Sequence, residues 1–373
     1  MTALKLATVA QKPVIGLMSG TSLDGIDGVL VELPPRPLRA LGTSRIDLPA
    51  GLRQELLALN QAGPDELRRS ALAGVQLAHL YARVVTQLLA DAHLRADQVS
   101  AIGCHGQTVR HQPADGYSLQ LVNGALLAEL TGITTITDFR SRDVAAGGQG
   151  APLVPAFHAA AFAHAEHARA IVNIGGFSNI TVLAADGAVR GHDCGPGNAL
   201  LDAWISHHQR EPYDRDGRWA RSGMLLPDLL KAMLSHPFFQ QAPPRSTGRE
   251  AFHLDWIRSL PGVASARRED VQRTLLELTV SAIVREVQLH AGDVDEVFIC
   301  GGGAENRMLM ERLRQALSPR RVAGTGELGI GEQQVEAFAF AWLANQTLHH
   351  LPGNLPSVTG AEGPRVLGAI YPA

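Results

Sequence analysis

The stretch VIGLMSGTSLDGIDGVLVE, residues 14–32, decides the fold. Val14 to Met18 is a short unbroken apolar run, as a buried strand requires. Ser19, Gly20, Thr21 and Ser22 end it, and Ile26 to Glu32 resumes an extended pattern. The reading is a β-hairpin with a polar, glycine-bearing turn. Such a turn leaves backbone N–H groups open to an anion. The same combination returns twice. Ala170 to Ile174 runs into NIGGFSN at 173–179, and Val297 to Cys300 runs into CGGGAEN at 300–306. One glycine turn is weak support for phosphate binding, because glycine also serves ordinary turns. Three of them after buried strands, spread along the chain, agree with one another.

Working outward, residues 64–93 read as a helix, with Pro64, Asp65 and Glu66 in its first turn. Its apolar positions Leu67, Ala71, Val75, Ala78, Ala82, Val85 and Leu89 recur at helical steps. Val99 to Gly103 forms a short strand leading into CHGQT at 104–108. Further helices follow Asn198, cover 271–290 and 306–317, and close the pattern at about 332–348. Hairpins and strand–glycine–helix crossovers thus occur in two places. The expectation is two related α/β domains facing each other across a central cleft. A length of 373 residues fits about two domains of ~150 residues.

Composition removes several function classes. Lys plus Arg total 33 against 36 Asp plus Glu, a net charge of -3, which does not suit a nucleic-acid binder. Lysine occurs only at 5, 12 and 231, never after glycine, so a GxxxxGK[ST] phosphate loop is absent. Cys104, Cys194 and Cys300 are too few and too scattered for a disulfide framework and fit a reducing cytoplasm. There is no CxxC or HExxH zinc pattern. No apolar run reaches the ~18 residues of a membrane helix. The patch from Leu6 to Ala10 is interrupted by Gln11 and Lys12, so residues 1–12 read as a lead into the first strand and not as a signal peptide. Glycine is in excess, at 38 of 373 residues.

The order of hairpin, GG turn and late GGG turn resembles the sugar kinase/Hsp70/actin superfamily. In its members ATP is clamped between two RNase H-like, actin-like ATPase domains. Most members open the middle turn with Asp, whereas Asn173 stands there in this chain. A narrower series of motifs spans the sequence from Gly16 to Tyr371. It comprises GLMSGTSLDGID (16–27), GCHGQT (103–108), DFRSRDVAAGGQGAPLVP (138–155), NIGGFSNI (173–180), HDCGPGN (192–198), STGRE (246–250) and GGGA (301–304). Together these resemble the anhydro-N-acetylmuramic acid kinases.

That resemblance implies an enzyme which opens the 1,6-anhydro ring with water and transfers the γ-phosphoryl of ATP to O6. The product is N-acetylmuramate 6-phosphate, within cell-wall recycling. It implies one domain over 1–135 with about 365–373, and a second over 136–364. It also implies a cytoplasmic homodimer using ATP and Mg²⁺, with no nucleic-acid or membrane partner. The ATP contacts would be Gly20, Thr21, Ser22, Leu23, Asp24, Gly25, Ile26 and Asp27, then Gly175 and Gly176, then Gly301, Gly302 and Gly303. Asp24 would stand on the Mg²⁺ side, usually through water. Arg142, His105, Gln107 and Glu336 would touch the sugar.

Asp193 is the expected catalytic base, because the attacking water needs a nearby carboxylate to take its proton. Spacing alone favours a helix N-cap for an Asp ahead of Gly-Pro-Gly. The family motif HDCGPGN favours catalysis. Asp24 equally reads as an Asp-Gly turn former, Arg142 as a solvated charge, and Glu336 as an exposed helical residue. An Arg in the 138–155 segment suits the lactyl carboxylate of a muramic acid. Cys104 and His105 are adjacent on a strand, point to opposite faces and cannot form a dyad. Two competing readings are a kinase acting on a plain hexosamine hydroxyl and a nucleotide-dependent sugar sensor.

Overall fold

In the computed structural model the described residues are 12–20, 22–33, 38–243, 245, 247–248 and 251–373. The expected lead before Lys12, the ATP contact Thr21, and Ser246, Arg249 and Glu250 of STGRE lie outside them. The chain forms two compact units, one from residues 1–153 with 336–373 and the other from 154–335.

Unit one begins with an antiparallel meander, β1 (Val14–Met18), β2 (Gly25–Glu32) and β3 (Arg39–Asp47). The hairpin read from residues 14–32 is its first half. β4 (Ile102–Cys104) joins β1 in parallel. β5 (Gln107–Gln112) and β6 (Tyr117–Leu121) pair separately. β7 (Thr135–Thr137) lies parallel to β4, and Ala369–Tyr371 adds an antiparallel edge. All five residues of β1 are buried, so its sequence is apolar without alternation.

Both faces of β1 are covered by helices. Ile15 and Leu17 share a core with Leu77, Tyr81, Val84 and Leu88 of the helix Glu66–Asp91. The opposite face is built differently. Gly16 and Gly103 are register partners on β1 and β4. A Cβ on Gly16 would lie 1.9 Å from the Ala337 carbonyl oxygen, and one on Gly103 would lie 2.0 Å from that of Phe340. The helix Val335–Leu348 therefore rests its backbone directly on the sheet, with Ala337, Ala341 and Ala344 at the contact.

This contact gives a different division of the chain from the expected boundaries at 135/136 and 364/365. Residues 136–153 and 336–364 belong to unit one. The helix is tied to β1 and β4 by the two glycines. The fully buried Asp143 accepts hydrogen bonds from the Gly150 amide (2.8 Å), Asn354 Nδ2 (2.7 Å) and Thr359 Oγ1 (2.7 Å). That carboxylate joins the 138–155 motif to the C-terminal segment within the same unit.

Unit two repeats the meander with β8 (Arg169–Ile174), β9 (Phe177–Leu183) and β10 (Val189–Pro196). β11 (Glu296–Cys300) lies parallel to β8, and β12 (Arg321–Gly324) lies parallel to β11. Its core joins Val172 and Ile174 to Leu200 and Trp204 of the helix Ala199–Gln209, and to Leu276, Ile283 and Val287 of the helix Arg268–His290. The shared pattern, three antiparallel strands followed by parallel ones, makes these the two related α/β domains read from the sequence.

Candidate active site

At the end of the first hairpin, β2 and β3 hold three charges together. Asp27 faces Arg45 across the ladder. Arg45 Nη1 donates to both Asp27 oxygens at 3.0 Å, and Nη2 donates to Asp24 Oδ2 at 2.8 Å. Ser22 Oγ donates to Asp24 Oδ1 at 2.7 Å. Burial pushes the Asp24 carboxyl up, but Ser22 and Arg45 outweigh it and the net shift is down. For Asp27 burial wins: its carboxyl is raised despite Arg45, with Asp24 and Asp47 adding to the rise. Leu23, between Ser22 and Asp24, takes a positive φ of 56°, which turns the chain sharply here.

The helix Val335–Leu348 brings Glu336 into the same electrostatic field. Glu336 is half-buried, and burial raises its carboxyl; Arg140 opposes the rise while Asp27 and Asp24 add to it. Arg140 is the half-buried guanidinium of this region. Its Nη1 donates to the Gly150 carbonyl at 2.7 Å, and its Nη2 lies 2.9 Å from His105 Nε2. Burial and that cation hold the His105 ring down to about 3, so it is neutral. Its Nε2 therefore accepts from Arg140, and the ring proton sits on Nδ1. Gln107 is 1% exposed, and its Oε1 has no partner among the described residues. Arg142 is exposed on the short helix Ser141–Val144, beside a shallow hollow lined by Asp138, Ser141 and Ala369. Sequence reading chose Arg142; the guanidinium wired to His105 and facing Glu336 is Arg140.

In unit two the glycines divide into two kinds. A Cβ on Gly301 would lie 2.3 Å from Asn173 Oδ1, and one on Gly303 would lie 2.3 Å from Ile174 Cγ2. These two are filled by the protein itself. Around Gly175, Gly176 and Gly302 the nearest atoms to such a Cβ are 3.7–3.8 Å away. The carbonyls of Gly175 and Gly176 accept the amides of residues 197–199, which lays the GG turn against the start of the helix Ala199–Gln209.

Asp193 lies on β10, opposite Asn179, at a register shift between Asp193 and Gly195. It is not a helix cap, since the helix Ala199–Gln209 begins after Asn198. The bulge is what the glycines of HDCGPGN permit: Gly195 has φ +143°. Arg245 and Thr247 hold Asp193. Its amide donates to the Arg245 carbonyl (3.2 Å), Arg245 Nε donates to its carbonyl (3.2 Å), and the Thr247 amide donates to Oδ2 (2.9 Å).

Residues 12–373 match the family described as anhydro-N-acetylmuramic acid kinase. The chain belongs to the anhydro-N-acetylmuramic acid kinase family. A protein of Nitrosomonas europaea bearing that name is 54% identical over 361 residues, covering 96% of this chain and 99% of its own. One of Pseudomonas putida is 52% identical over 360 residues, covering 96% and 99%. Among solved structures, component A of the (R)-2-hydroxyglutaryl-CoA dehydratase of Acidaminococcus fermentans is similar at 11% identity, covering 89% of this chain and 96% of its own, with a TM-score of 0.49. A ROK family glucokinase of Streptomyces griseus, in complex with glucose and AMPPNP, is similar at 13% identity, covering 90% and 99%, with a TM-score of 0.41.

Within this anhydro-N-acetylmuramic acid kinase chain, the motif reading missed Arg45 and Arg245. Arg45 lies outside every motif, 18 residues along the chain from Asp27, and only the strand register brings the two together. Among the described residues no helix is long and apolar enough to cross a membrane.

Proposed function

We propose that this protein opens the 1,6-anhydro ring of anhydro-N-acetylmuramic acid and phosphorylates O6 at the expense of ATP, in cell-wall recycling. Family membership over nearly the whole chain supports the substrate and the phosphoryl donor. The observation that carries the chemistry is Asp193, a carboxylate on a strand bulge gripped by hydrogen bonds from Arg245 and Thr247. Asp193 takes a proton from water as its oxygen bonds to C1. The C1–O6 bond breaks, and the electron pair it leaves on O6 attacks the γ-phosphorus. The γ-phosphorus–oxygen bond to ADP then breaks. One water thus becomes the C1 hydroxyl and one proton, so a single base serves both steps.

The ATP contacts assigned are Gly20 to Asp27, Gly175, Gly176 and Gly301 to Gly303. Support is strongest at Gly175, Gly176 and Gly302, where a Cβ would meet its neighbours only at ordinary contact distance, 3.7–3.8 Å; Gly301 and Gly303 are already required by packing. When bound, Mg²⁺ would neutralise charge on the transferring phosphates. Both Asp24 oxygens already accept bonds from Ser22 and Arg45, so Asp24 fits the water shell of the ion better than a direct bond. For the sugar, Arg140 joins Arg142, His105, Gln107 and Glu336. Arg140 offers charge to a carboxylate, and Gln107 Oε1 offers an unused acceptor. Cytoplasmic residence and a homodimer complete the reading; three buried free thiols fit the former.

The test is ADP release with anhydro-N-acetylmuramic acid in ¹⁸O-water, using N-acetylmuramate as control. Label on the anomeric oxygen and no turnover of the control are expected. Turnover of the control without label would make this a plain sugar kinase. Asp193→Asn should bind ATP normally by calorimetry yet lose about 10³-fold or more in kcat; near-full activity would remove Asp193 as the base.

A further inference from the structure

Behind Asp193 lies a buried charge cluster whose centre, Glu286, no motif announces. Glu286 projects from the helix Arg268–His290 with its side chain 1% exposed. Its Oε1 lies 2.6 Å from Arg245 Nη2, and its Oε2 lies 2.8 Å from His192 Nε2. The Arg245 contact is an ion pair without the alignment of a linear hydrogen bond. His290, one turn further along the helix, stands 3.5 Å from Oε2. Arg245 is itself 3% exposed, and its guanidinium lies 4.7 Å above the Phe238 ring.

A carboxylate buried this deeply costs several kcal/mol unless it is paired on its oxygens. Both oxygens here are paired, and both partners lead to one place. His192 is the residue before Asp193. Arg245 grips Asp193 by exchanging backbone contacts with it and is two residues from the Thr247 amide that holds Oδ2. We propose that Glu286 is a positioning residue: through Arg245 and His192 it fixes the strand bulge and the 245–247 segment, so that the Asp193 carboxylate points one way.

This inference rests on the reading of Asp193 as the base. Stability alone does not explain the arrangement, because a buried ion pair is on average no more stabilising than well-packed apolar groups. The ligand atoms of His192, Glu286 and His290 lie within 4.8 Å of one another, a spacing that a metal ion also tolerates. Arg245 already supplies the cation against this carboxylate.

The experiment compares Glu286→Gln, Arg245→Lys, the double variant and Asp193→Asn in the full chain. Folding is followed by thermal unfolding, and kcat and KM are measured for both substrates. Glu286→Gln keeps the size of the side chain and removes its charge. Arg245→Lys keeps a cation near Glu286 and removes the Nε donor to Asp193. Each should lower kcat about 10–100-fold with KM little changed. The double variant should lose little more than the worse single, since both act through one chain of contacts. A folded Glu286→Gln enzyme with wild-type kcat, a change confined to KM, or strict additivity would overturn the proposal. If Glu286→Gln does not fold, a wild-type kcat in Arg245→Lys overturns it and the expected kcat loss there upholds it. Stoichiometric zinc in the purified protein would overturn it as well. An active Asp193→Asn would instead defeat the base assignment itself, so the two failures are distinct.

Discussion

The two units run the same meander into parallel strands, yet their glycines and their charge clusters are set differently. In unit one the central glycines are structural. Gly16 and Gly103 let the helix Val335–Leu348 lie on the sheet, and the charged residues Asp24, Asp27, Arg45 and Glu336 gather at exposed or half-buried positions. In unit two β8 carries Ala170, Val172 and Ile174 in an ordinary apolar core, a Cβ on either glycine of the GG turn would meet nothing closer than 3.7 Å, and the buried charge cluster sits under the bulge of β10. Topology therefore does not determine what a glycine is for. The distance from its absent Cβ to its neighbours does.

The sharpest way to break this comparison is to put side chains on both kinds of glycine. Gly103→Val forces carbons into the Phe340 carbonyl, and the chain should lose several kcal/mol of stability or fail to fold, read by urea unfolding. Gly176→Ala meets nothing closer than 3.7 Å. Its unfolding midpoint should stay within about 1 kcal/mol of wild type, while the KM for ATP rises at least tenfold. Equal destabilisation by both would end the distinction.

A smaller effect is expected at Glu336. Glu336→Gln should raise the KM for the anhydrosugar about tenfold, the scale of one lost charge-assisted hydrogen bond, and leave the KM for ATP within twofold. A reversed pattern would move Glu336 to the nucleotide side.

An effect spread over a wide pH range is a stability slope to which both units contribute. His105 in unit one and His158 in unit two are each held down to about 3, by burial in both cases, with Arg140 adding at His105. The unfolded chain binds these protons near 6.5. Their contribution to stability is thus complete above about pH 6.5 and is lost as pH falls towards 3, at up to ~1.4 kcal/mol per pH unit for each ring. His158→Gln should remove about half of the part of the slope that the two share; an unchanged slope between pH 6 and pH 4 would show that other groups set it.

Much of this was legible in the sequence. The hairpin at 14–32 and the helices Glu66–Asp91, Arg268–His290 and Arg307–Leu317 follow apolar period and turn chemistry, which are local. β3 was not foreseen, because its burial alternates irregularly and no motif marks it. Spacing suggests a helix cap at Asp193, which lies instead on a bulged strand, because HDCGPGN carries enough glycine to suggest either. Arg45, Arg245 and Glu286 were invisible for one reason: each acts on a residue far along the chain, and neither period nor spacing encodes a pairing between distant segments.

The cross-strand glycine pair also sets a schedule. Strands β1 to β7 precede the whole of residues 154–335 along the chain, yet the helix that covers Gly16 and Gly103 follows them. Until residue 348 is synthesised, one face of that sheet has no cover, and closing so long a loop carries an entropic cost. Residues 154–335, continuous in the chain, can complete their core first. The amino-terminal unit is thus the later of the two to mature, and a nascent chain stalled before Val335 would expose a bare sheet to chaperones.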